Sequence, residues 1–167
     1  MKISLTANVS VNGKVLLVNT PNYQAPQEAI NAFMQIARQA GNLVIGRKTY
    51  EIFKQFFSDP NGIFSGLEII ILSTKASTSG YLVISTPEEA IRYLATKGFK
   101  EIVVGGGTEI YNAFLNKDLI TDIYFNINPI IAGNTGELGT NQELASRFRL
   151  AETKVVAENI IQVHWTK

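Results

Sequence analysis

Cysteine is missing from the 167-residue chain, and histidine and tryptophan occur once each, as His164 and Trp165. The lack of cysteine excludes disulfide bonds, thiolate catalysis and cysteine-ligated zinc, and it is typical of a reducing compartment. A single histidine excludes a histidine-rich metal site, so we predict no bound metal. No apolar run approaches the roughly 20 residues of a membrane span. The N-terminal segment MKISLTANVS lacks the continuous apolar core of a signal peptide, so we expect a cytoplasmic protein.

Charge is also sparse. Charged residues make up 17% of the chain and the formal net charge is +1, a balance that does not favour nucleic acid or a membrane surface as partner. Hydrophobic residues make up 46% of the chain, which is typical of a globular protein rather than a disordered one. The length predicts one domain over residues 1–167, with room for a hydrophobic core.

Three consecutive glycines stand out in the segment KEIVVGGGTEIYNAFL. The apolar run IVV predicts a buried strand before Gly105, Gly106 and Gly107, and Thr108 is predicted to cap the helix that follows. Glycine lets a ligand approach the backbone closely, and a helix N-terminus offers N–H groups and a partial positive charge. The junction therefore indicates one of two things. It is an anion site, for which we favour a dinucleotide pyrophosphate, or a tight turn that needs glycine only for its backbone geometry.

A second junction has the same order of features. The apolar run LVI predicts a strand, and Gly46, Arg47, Lys48 and Thr49 follow it at the start of a predicted helix. Cations at a helix N-terminus oppose the helix dipole, so Arg47 and Lys48 favour a bound anion over a local stabilising role. An adenosine 2′-phosphate suits the planar guanidinium of arginine. Two solvated surface cations are an equally good explanation of this pair taken alone.

Hydroxyl groups and a cation follow a third predicted strand. The run EIIIL ends in Ser73, Thr74 and Lys75, which suit a phosphate and also an ordinary turn. Strands alternate with helices over most of the chain, and strands alone follow. This order predicts an α/β fold with a mostly parallel sheet that gains antiparallel strands at its C-terminal end. Ligands of open α/β sheets bind at the carboxyl ends of the strands, so the three junctions are predicted to meet at one ligand.

Two helices have clear boundary signals. Residues 26–40 are predicted to form a helix that Gly41 ends, with Glu28 near its start. A carboxylate at that position suits the positive end of the helix dipole. Thr86 and Glu89 form a capping box before a second helix, which we interpret as structural.

The remaining segments are predicted as loops and strands. Residues 58–66 contain proline and glycine and are predicted to form a loop. Residues 148–153 and 159–165 are predicted to form a closing antiparallel hairpin. In its second strand, apolar residues alternate with Gln162 and His164, so His164 is predicted to face solvent.

The order of these motifs resembles the dihydrofolate-reductase-like superfamily. NLVIGRKTYE, EIIILSTK, EIVVGGGTEIYNAFL and TDIYFNINPIIAG follow one another as in that superfamily, and VSVNGKV resembles its first-strand signature. The resemblance covers about residues 2–165, and GRKTYE and VVGGGTEIY are its most specific parts. NPIIAG and SVNGK are more similar to the reductase domain of the bifunctional riboflavin-biosynthesis deaminase-reductase than to dihydrofolate reductases proper.

The resemblance implies a central sheet flanked by helices, with NADPH lying across its edge. Arg47 or Lys48 would lie near the 2′-phosphate, and Ile110 and Tyr111 would lie toward the nicotinamide. Ala7 would meet the nicotinamide amide through backbone atoms. The adenosine side would be held by Gly46, Arg47, Lys48 and Thr49, the adenine ribose by Ser73, Thr74 and Lys75, and the pyrophosphate by Gly105, Gly106, Gly107 and Thr108.

The chain departs from the superfamily where the substrate would bind. Dihydrofolate reductases carry a carboxylate on the first helix, where this chain has Ala29 with Glu28 one position away. Riboflavin-type enzymes carry an acidic residue where this chain has Gly105. Glu28 is therefore the candidate catalytic residue, and a water molecule is the alternative source of the proton.

We therefore expect an NADPH-dependent reductase that transfers hydride to a C=N or imine-type carbon of a pyrimidine-type substrate. It would resemble the 5-amino-6-(5-phosphoribosylamino)uracil reductases of riboflavin biosynthesis. The alternatives are a dihydrofolate reductase acting on a pterin and a non-catalytic nucleotide-binding module. Relatives of the riboflavin type tend to dimerise, so the resemblance also implies a homodimer, with neither nucleic acid nor membrane as partner.

Overall fold

The computed structural model describes residues 1–57, 60–75, 80–134 and 136–167. Within these ranges the strands are β1 (Lys2–Ser10), β2 (Asn42–Gly46), β3 (Glu68–Leu72), β4 (Leu82–Ile84), β5 (Glu101–Val104), β6 (Asp122–Asn128), β7 (Arg149–Ala157) and β8 (Ile160–Thr166). The helices are α1 (Gln27–Ala40), α2 (Arg47–Phe56), α3 (Pro60–Ile63), α4 (Pro87–Thr96) and α5 (Thr108–Leu115). Among these helices, none combines the length and the apolar character that a membrane span requires.

All of these strands join one sheet, in the order β4-β3-β2-β5-β1-β6-β8-β7. The strands from β4 to β6 in that order pair in parallel, and β8 pairs antiparallel with both β6 and β7. The predicted mixed sheet with an antiparallel C-terminal hairpin is therefore confirmed. This order also brings the carboxyl ends of β2, β3 and β5 to one edge of the sheet.

Helices cover the central strands on both faces, so apolar residues follow one another along β2, β3 and β5. In β2, for example, Leu43, Val44 and Ile45 are all fully buried. Leu43 and Ile45 belong to the hydrophobic cluster that contains Phe33 of α1. Val44 belongs to the opposite cluster, which contains Leu94 of α4 and residues of α5. Alternate side chains thus pack against two helix layers, which explains the continuous apolar runs by which the strands were predicted.

The predicted helix boundaries agree with the structure at α1 and α4. Gly41 ends α1 in the left-handed region, with φ of 75°, and its N–H donates to the carbonyl oxygen of Ala37. Thr86 caps α4, because its Oγ1 accepts a hydrogen bond of 3.3 Å from the N–H of Glu89. Both termini are therefore set by local sequence.

Two other boundary predictions are wrong. Thr108 does not cap α5: Gly107 occupies the cap position, Thr108 is the first helical residue, and no side chain caps the helix. The predicted loop over residues 58–66 contains the single-turn helix α3, while residues 58–59 lie outside the described residues. A lone helical turn gives no apolar periodicity, so the sequence pattern could not reveal it.

His164 does not face solvent, contrary to the prediction. Its Nε2 lies 2.8 Å from Oδ1 of Asp122 on β6, and its side chain is 18% exposed. Its ring stacks on that of Tyr124, with centroids 4.0 Å apart. Burial in β8 does not follow the predicted alternation, since Gln162 and Val163 are both buried while Ile161 is 43% exposed. The partners of the polar residues come from the neighbouring strand β6, which is distant in sequence.

Candidate functional site

A deep cleft lies where β2, β3 and β5 end, and its volume is about 640 Å³. That volume falls within the range of ligand sites in proteins, roughly 300–1,000 Å³. The start of α2 forms one wall, the residues after β3 form a second, and the start of α5 forms a third. The cleft is lined by Leu17, Asn19, Gly46, Arg47, Lys48, Thr49, Ile52, Leu72, Ser73, Thr74, Lys75, Ser85, Pro87, Gly107, Thr108, Glu109, Ile110 and Ala113.

Two of the helices that begin at the cleft, α2 and α5, have glycine at their N-terminal caps. Gly46 precedes α2 and Gly107 precedes α5, and neither helix receives a hydrogen bond from a capping side chain. The two starts are tied together, because the N–H of Gly46 donates to the carbonyl oxygen of Gly106 at 2.6 Å. In α5 the N–H of Ile110 donates to the carbonyl oxygen of Gly107 at 2.9 Å. No capping side chain takes up the N–H groups that precede it or those at the start of α2, so two positive helix ends without side-chain caps converge on the cleft.

The glycine turn allows these backbone segments to lie close together. A Cβ atom on Gly107 would lie 2.9 Å from Oγ1 of Thr49, and one on Gly46 would lie 2.8 Å from Cγ1 of Ile110. Gly106 adopts φ of +110°, which a side chain would strain. The peptide bond between Gly106 and Gly107 is cis. Backbone rather than side chains therefore forms the floor of the cleft, as an extended diphosphate requires.

Cations surround the end of the cleft at α2. Nη1 of Arg47 lies 2.6 Å from Oε1 of Glu51, one turn along the same helix. Nζ of Lys48 lies 3.5 Å from Oε1 of Glu109 at the start of α5, and both side chains are largely exposed. Such exposed ion pairs contribute little to stability, so a bound phosphate can replace the carboxylates at small cost.

A second cavity, here called the inner pocket, opens beside the cleft and shares Leu17, Thr49 and Ile52 with it. Its walls come from β1, the loop after β1, α1, α2 and the glycine turn. No charged side chain is among its lining residues, which are Asn8, Leu16, Leu17, Val18, Ala25, Ile30, Phe33, Thr49, Ile52, Phe53, Gly105 and Tyr111. The inner pocket has a volume of about 50 Å³, so a ligand lying in the cleft can place the edge of a ring, rather than a whole ring, in this uncharged pocket.

Tyr111 is fixed at the base of the inner pocket and does not supply protons. Its hydroxyl group donates a 2.7 Å hydrogen bond to the carbonyl oxygen of Thr6. Burial raises the pKa of the Tyr111 phenol well above its ordinary value, so the group stays protonated at any pH near neutrality. Oγ1 of Thr6 is buried without a hydrogen-bond partner among the described residues.

The structure brings most of the predicted site residues together. The cleft is lined by Gly46, Arg47, Lys48, Thr49, Ser73, Thr74, Lys75, Gly107, Thr108 and Ile110, and the inner pocket by Gly105 and Tyr111. Three predicted residues line neither. Gly106 is the buried middle residue of the glycine turn, Ala7 is 1% exposed and packs in the core, and Glu28 is exposed on the first turn of α1.

Several lining residues escaped the sequence analysis. Pro87 was assigned to a purely structural helix, yet the start of α4 reaches the cleft. Leu17 and Asn19 lie in the loop after β1, and no local pattern marks them as cleft residues. Asn8 is the polar residue of β1 that reaches the inner pocket. The one sequence signal that could have marked Asn8 as a site residue is a polar amide side chain in a strand that is covered on both faces.

Metal binding has no support in the described part of the chain. Within it, no group of three or more His, Cys, Asp or Glu side chains lies close enough to hold an ion.

Comparison with known proteins agrees with this architecture. Residues 1–162 match the model of the RibD C-terminal domain family. A pyrimidine reductase-like protein from Corynebacterium diphtheriae superposes with a TM-score of 0.75 at 16% identity, over 99% of this chain and 91% of that one. A candidate riboflavin biosynthesis protein from Shewanella sp. PV-4 gives 0.71 at 22% identity, over 99% of this chain and 98% of that one.

RibD from Acinetobacter baumannii also has a TM-score of 0.71, at 13% identity, and 99% of this chain spans 57% of it. Identities this low show a shared fold and nothing finer. A search of curated protein sequences found no match.

Proposed function

The chain belongs to the RibD C-terminal domain family, and on that premise we propose that it is an NADPH-dependent reductase of a pyrimidine-type compound. The reaction would be the reduction of 5-amino-6-(5-phosphoribosylamino)uracil, or of a similar ribosylaminopyrimidine, at a C=N or imine-type carbon. The bound nicotinamide would supply the hydride. The protein's own residues bind the two reactants side by side, fix their orientation and exclude water.

The observation that carries this proposal is the convergence of two uncapped helix N-termini on one cleft. Gly107 and Thr108 would donate backbone N–H groups to the pyrophosphate, and so would the residues that follow Gly46 at the start of α2. A dinucleotide is the common metabolite that carries a diphosphate between two large polar ends, and the cleft is large enough for it. Ser73, Thr74 and Lys75 would face the adenine ribose, and Arg47 and Lys48 the 2′-phosphate.

The mouth of the inner pocket is where the ring to be reduced would lie, with one edge of the ring turned into the pocket. The pocket adjoins the cleft at Thr49 and Ile52, so a ring at its mouth meets the end of a dinucleotide that lies in the cleft. Its walls include Leu16 and Phe33, which keep water from the reacting carbon. The N–H of Leu16 donates to the carbonyl oxygen of Asn8 at 2.8 Å, which fixes that wall against β1.

A water molecule, rather than Glu28, is proposed as the source of the proton. Glu28 is exposed and lines neither cavity. Tyr111 is buried with its proton committed to the carbonyl oxygen of Thr6. We therefore expect Glu28→Gln to change the turnover rate by less than about twofold, since exposed side chains away from the site contribute little.

Turnover is the direct test of the proposal. The protein is mixed with NADPH and with each of a set of ribosylaminopyrimidines and pterins, and the loss of the near-ultraviolet absorbance of the reduced nicotinamide is followed. We expect turnover with a ribosylaminopyrimidine. Tight NADPH binding without turnover on any compound would instead support a non-catalytic nucleotide-binding module. The absence of a carboxylate from the inner pocket is the observation that favours that second candidate.

We also propose that two copies of the chain associate through the outer face of the C-terminal hairpin. Val155 of β7 pairs in register with Ile161 of β8, and Leu150 pairs with Trp165, so these side chains share one face. Leu150 is 60% exposed, Val155 is 73% exposed and Ile161 is 43% exposed. Neighbouring exposed apolar side chains on a sheet are typical of a protein–protein interface.

Placing charges on this face is expected to give monomers. The double variant Val155→Glu, Ile161→Glu should sediment as a monomer at concentrations where the wild-type protein is a dimer, because two carboxylates would be desolvated in each half of the interface. Lys154→Glu is the matched control: Lys154 pairs with the buried Gln162, so it belongs to the opposite face. A monomeric wild-type protein, or a dimeric double variant, would contradict the proposal.

A further inference from the structure

A chain of side-chain amides crosses the sheet and ends at the inner pocket. Nε2 of Gln162 donates to Oδ1 of Asn126 at 2.8 Å, and Nδ2 of Asn126 donates to Oδ1 of Asn8 at 3.0 Å. Asn8, Asn126 and Gln162 are aligned by the pairing of β1, β6 and β8. Asn126 is fully buried and Gln162 is 3% exposed, so the interior of the chain is shielded from water.

The direction of this chain is fixed by a backbone carbonyl group. Nδ2 of Asn126 also reaches the carbonyl oxygen of Ala29 in α1, at 3.4 Å. A carbonyl oxygen only accepts, so the nitrogen of the Asn126 amide must lie on the side of Ala29 and Asn8. Oδ1 of Asn8 therefore accepts the hydrogen bond from Asn126. The Nδ2 group of Asn8 is then the terminal donor of this series of hydrogen bonds.

The Nδ2 group of Asn8 has no hydrogen-bond partner among the described residues, whereas the hydroxyl groups of the other two polar side chains of the inner pocket are engaged or lie at its edge. The Tyr111 hydroxyl group is committed to Thr6. Oγ1 of Thr49 lies against Gly107, on the side shared with the cleft. Asn8 lines the inner pocket and is only partly buried. An uncharged pocket with one oriented N–H donor recognises a ligand that presents one acceptor atom at that point.

We propose that Asn8 selects the substrate by donating its Nδ2–H to a ring carbonyl oxygen, so that the inner pocket accepts the carbonyl edge of a neutral pyrimidinedione and disfavours an amidine edge. A 2-aminopyrimidine or pterin edge presents N–H donors, which need a carboxylate or another acceptor opposite them. No carboxylate lines the inner pocket. This inference makes the proposed function more specific. It rests on that function only for the assumption that the ligand is a pyrimidine-type ring.

Two ring fragments with opposite edges test the assignment. The probes are 5,6-diaminouracil, which presents carbonyl oxygens, and 2,4-diaminopyrimidine, which presents an amidine edge. Dissociation constants are measured by NMR on the protein with and without NADPH. We expect the wild-type protein to bind 5,6-diaminouracil about tenfold more tightly than 2,4-diaminopyrimidine. That is the effect of forming one well-placed hydrogen bond in one complex and leaving it unformed in the other. We expect Asn8→Asp to reverse that preference, because a carboxylate accepts from an amidine edge.

Asn8→Asp retains the oxygen that accepts from Asn126, so the fold is expected to survive, and a thermal melt checks that it does. Asn31→Asp makes the same chemical change at an exposed position of α1 and should leave the preference unchanged. A preference that is the same in the wild-type protein and in Asn8→Asp would overturn the proposal, and so would the absence of binding by either fragment. A failure of the protein to bind NADPH would be seen separately, in the cofactor titration, and would count against the reductase assignment alone.

Discussion

Replacing Gly105 with aspartate is expected to reduce the free energy of unfolding by about 4 kcal/mol, as measured by urea denaturation. The resemblance to riboflavin-type enzymes implies an acidic residue at this position, and the substitution would introduce one. In this protein, however, a Cβ atom at residue 105 would lie 2.5 Å from Cδ1 of Leu43 and 2.8 Å from Cζ of Phe33. Both side chains are buried, so neither can move without disturbing the packed core.

A smaller substitution at Gly105 and an aspartate at a distant glycine separate the cost of overpacking from the cost of the added carboxylate. Gly105→Ala should cost about 2 kcal/mol, since it adds the clash without a polar group. Gly133→Asp is the control, because a Cβ atom there would meet nothing within 4 Å. It should change the free energy of unfolding by less than about 0.5 kcal/mol. A Gly105→Asp protein as stable as the wild type would show that the space beside Phe33 is open, and that a family-type acid can be accommodated.

Removing both cations at the start of α2 is expected to weaken NADPH binding by about 100-fold while changing NADH binding by less than about threefold. A hydrogen bond to a charged group contributes about 1.5–3 kcal/mol, and the double variant Arg47→Ala, Lys48→Ala removes the groups assigned to the 2′-phosphate. NADH lacks that phosphate and so loses only weak long-range attraction. Dissociation constants for the two nucleotides can be measured by isothermal titration calorimetry.

The matched control removes two cations that do not line the cleft. Arg38 of α1 and Lys54 of α2 are both exposed, and the double variant Arg38→Ala, Lys54→Ala has the same net charge as the test variant. It should bind both nucleotides as the wild-type protein does. Equal losses for NADPH and NADH in the test variant would remove the 2′-phosphate assignment, although the pyrophosphate site would still stand.

The sheet and its helices could be predicted from sequence because the signals for them are local. The runs LVI, IIIL and IVV are apolar throughout, which is typical of strands that are covered on both faces. Gly41 and Thr86 mark helix ends by the conformation and the hydrogen bond that those positions require. The meeting of three junctions at one cleft followed from a general property of parallel sheets rather than from any single motif.

The inner pocket could not be predicted, because its residues are collected by tertiary packing. Asn8 and Asn126 lie on neighbouring strands that are far apart in sequence, and their hydrogen bond exists only in the folded sheet. His164 was misplaced for the same reason, since Asp122 comes from β6. Alternation of polar and apolar residues along β8 suggested a solvent-facing side. The polar side is instead covered as well, because Gln162 and His164 have hydrogen-bond partners on β6.

The central claim is that backbone N–H groups at the starts of α2 and α5 together bind the diphosphate of a reduced pyridine dinucleotide. An NMR titration of the uniformly 15N-labelled protein with NADPH tests it most directly, because each backbone amide is observed separately. We predict saturable shifts at one equivalent, largest for Arg47, Gly107, Thr108 and Glu109. Shifts confined to other parts of the chain, or none at millimolar NADPH, would contradict the account.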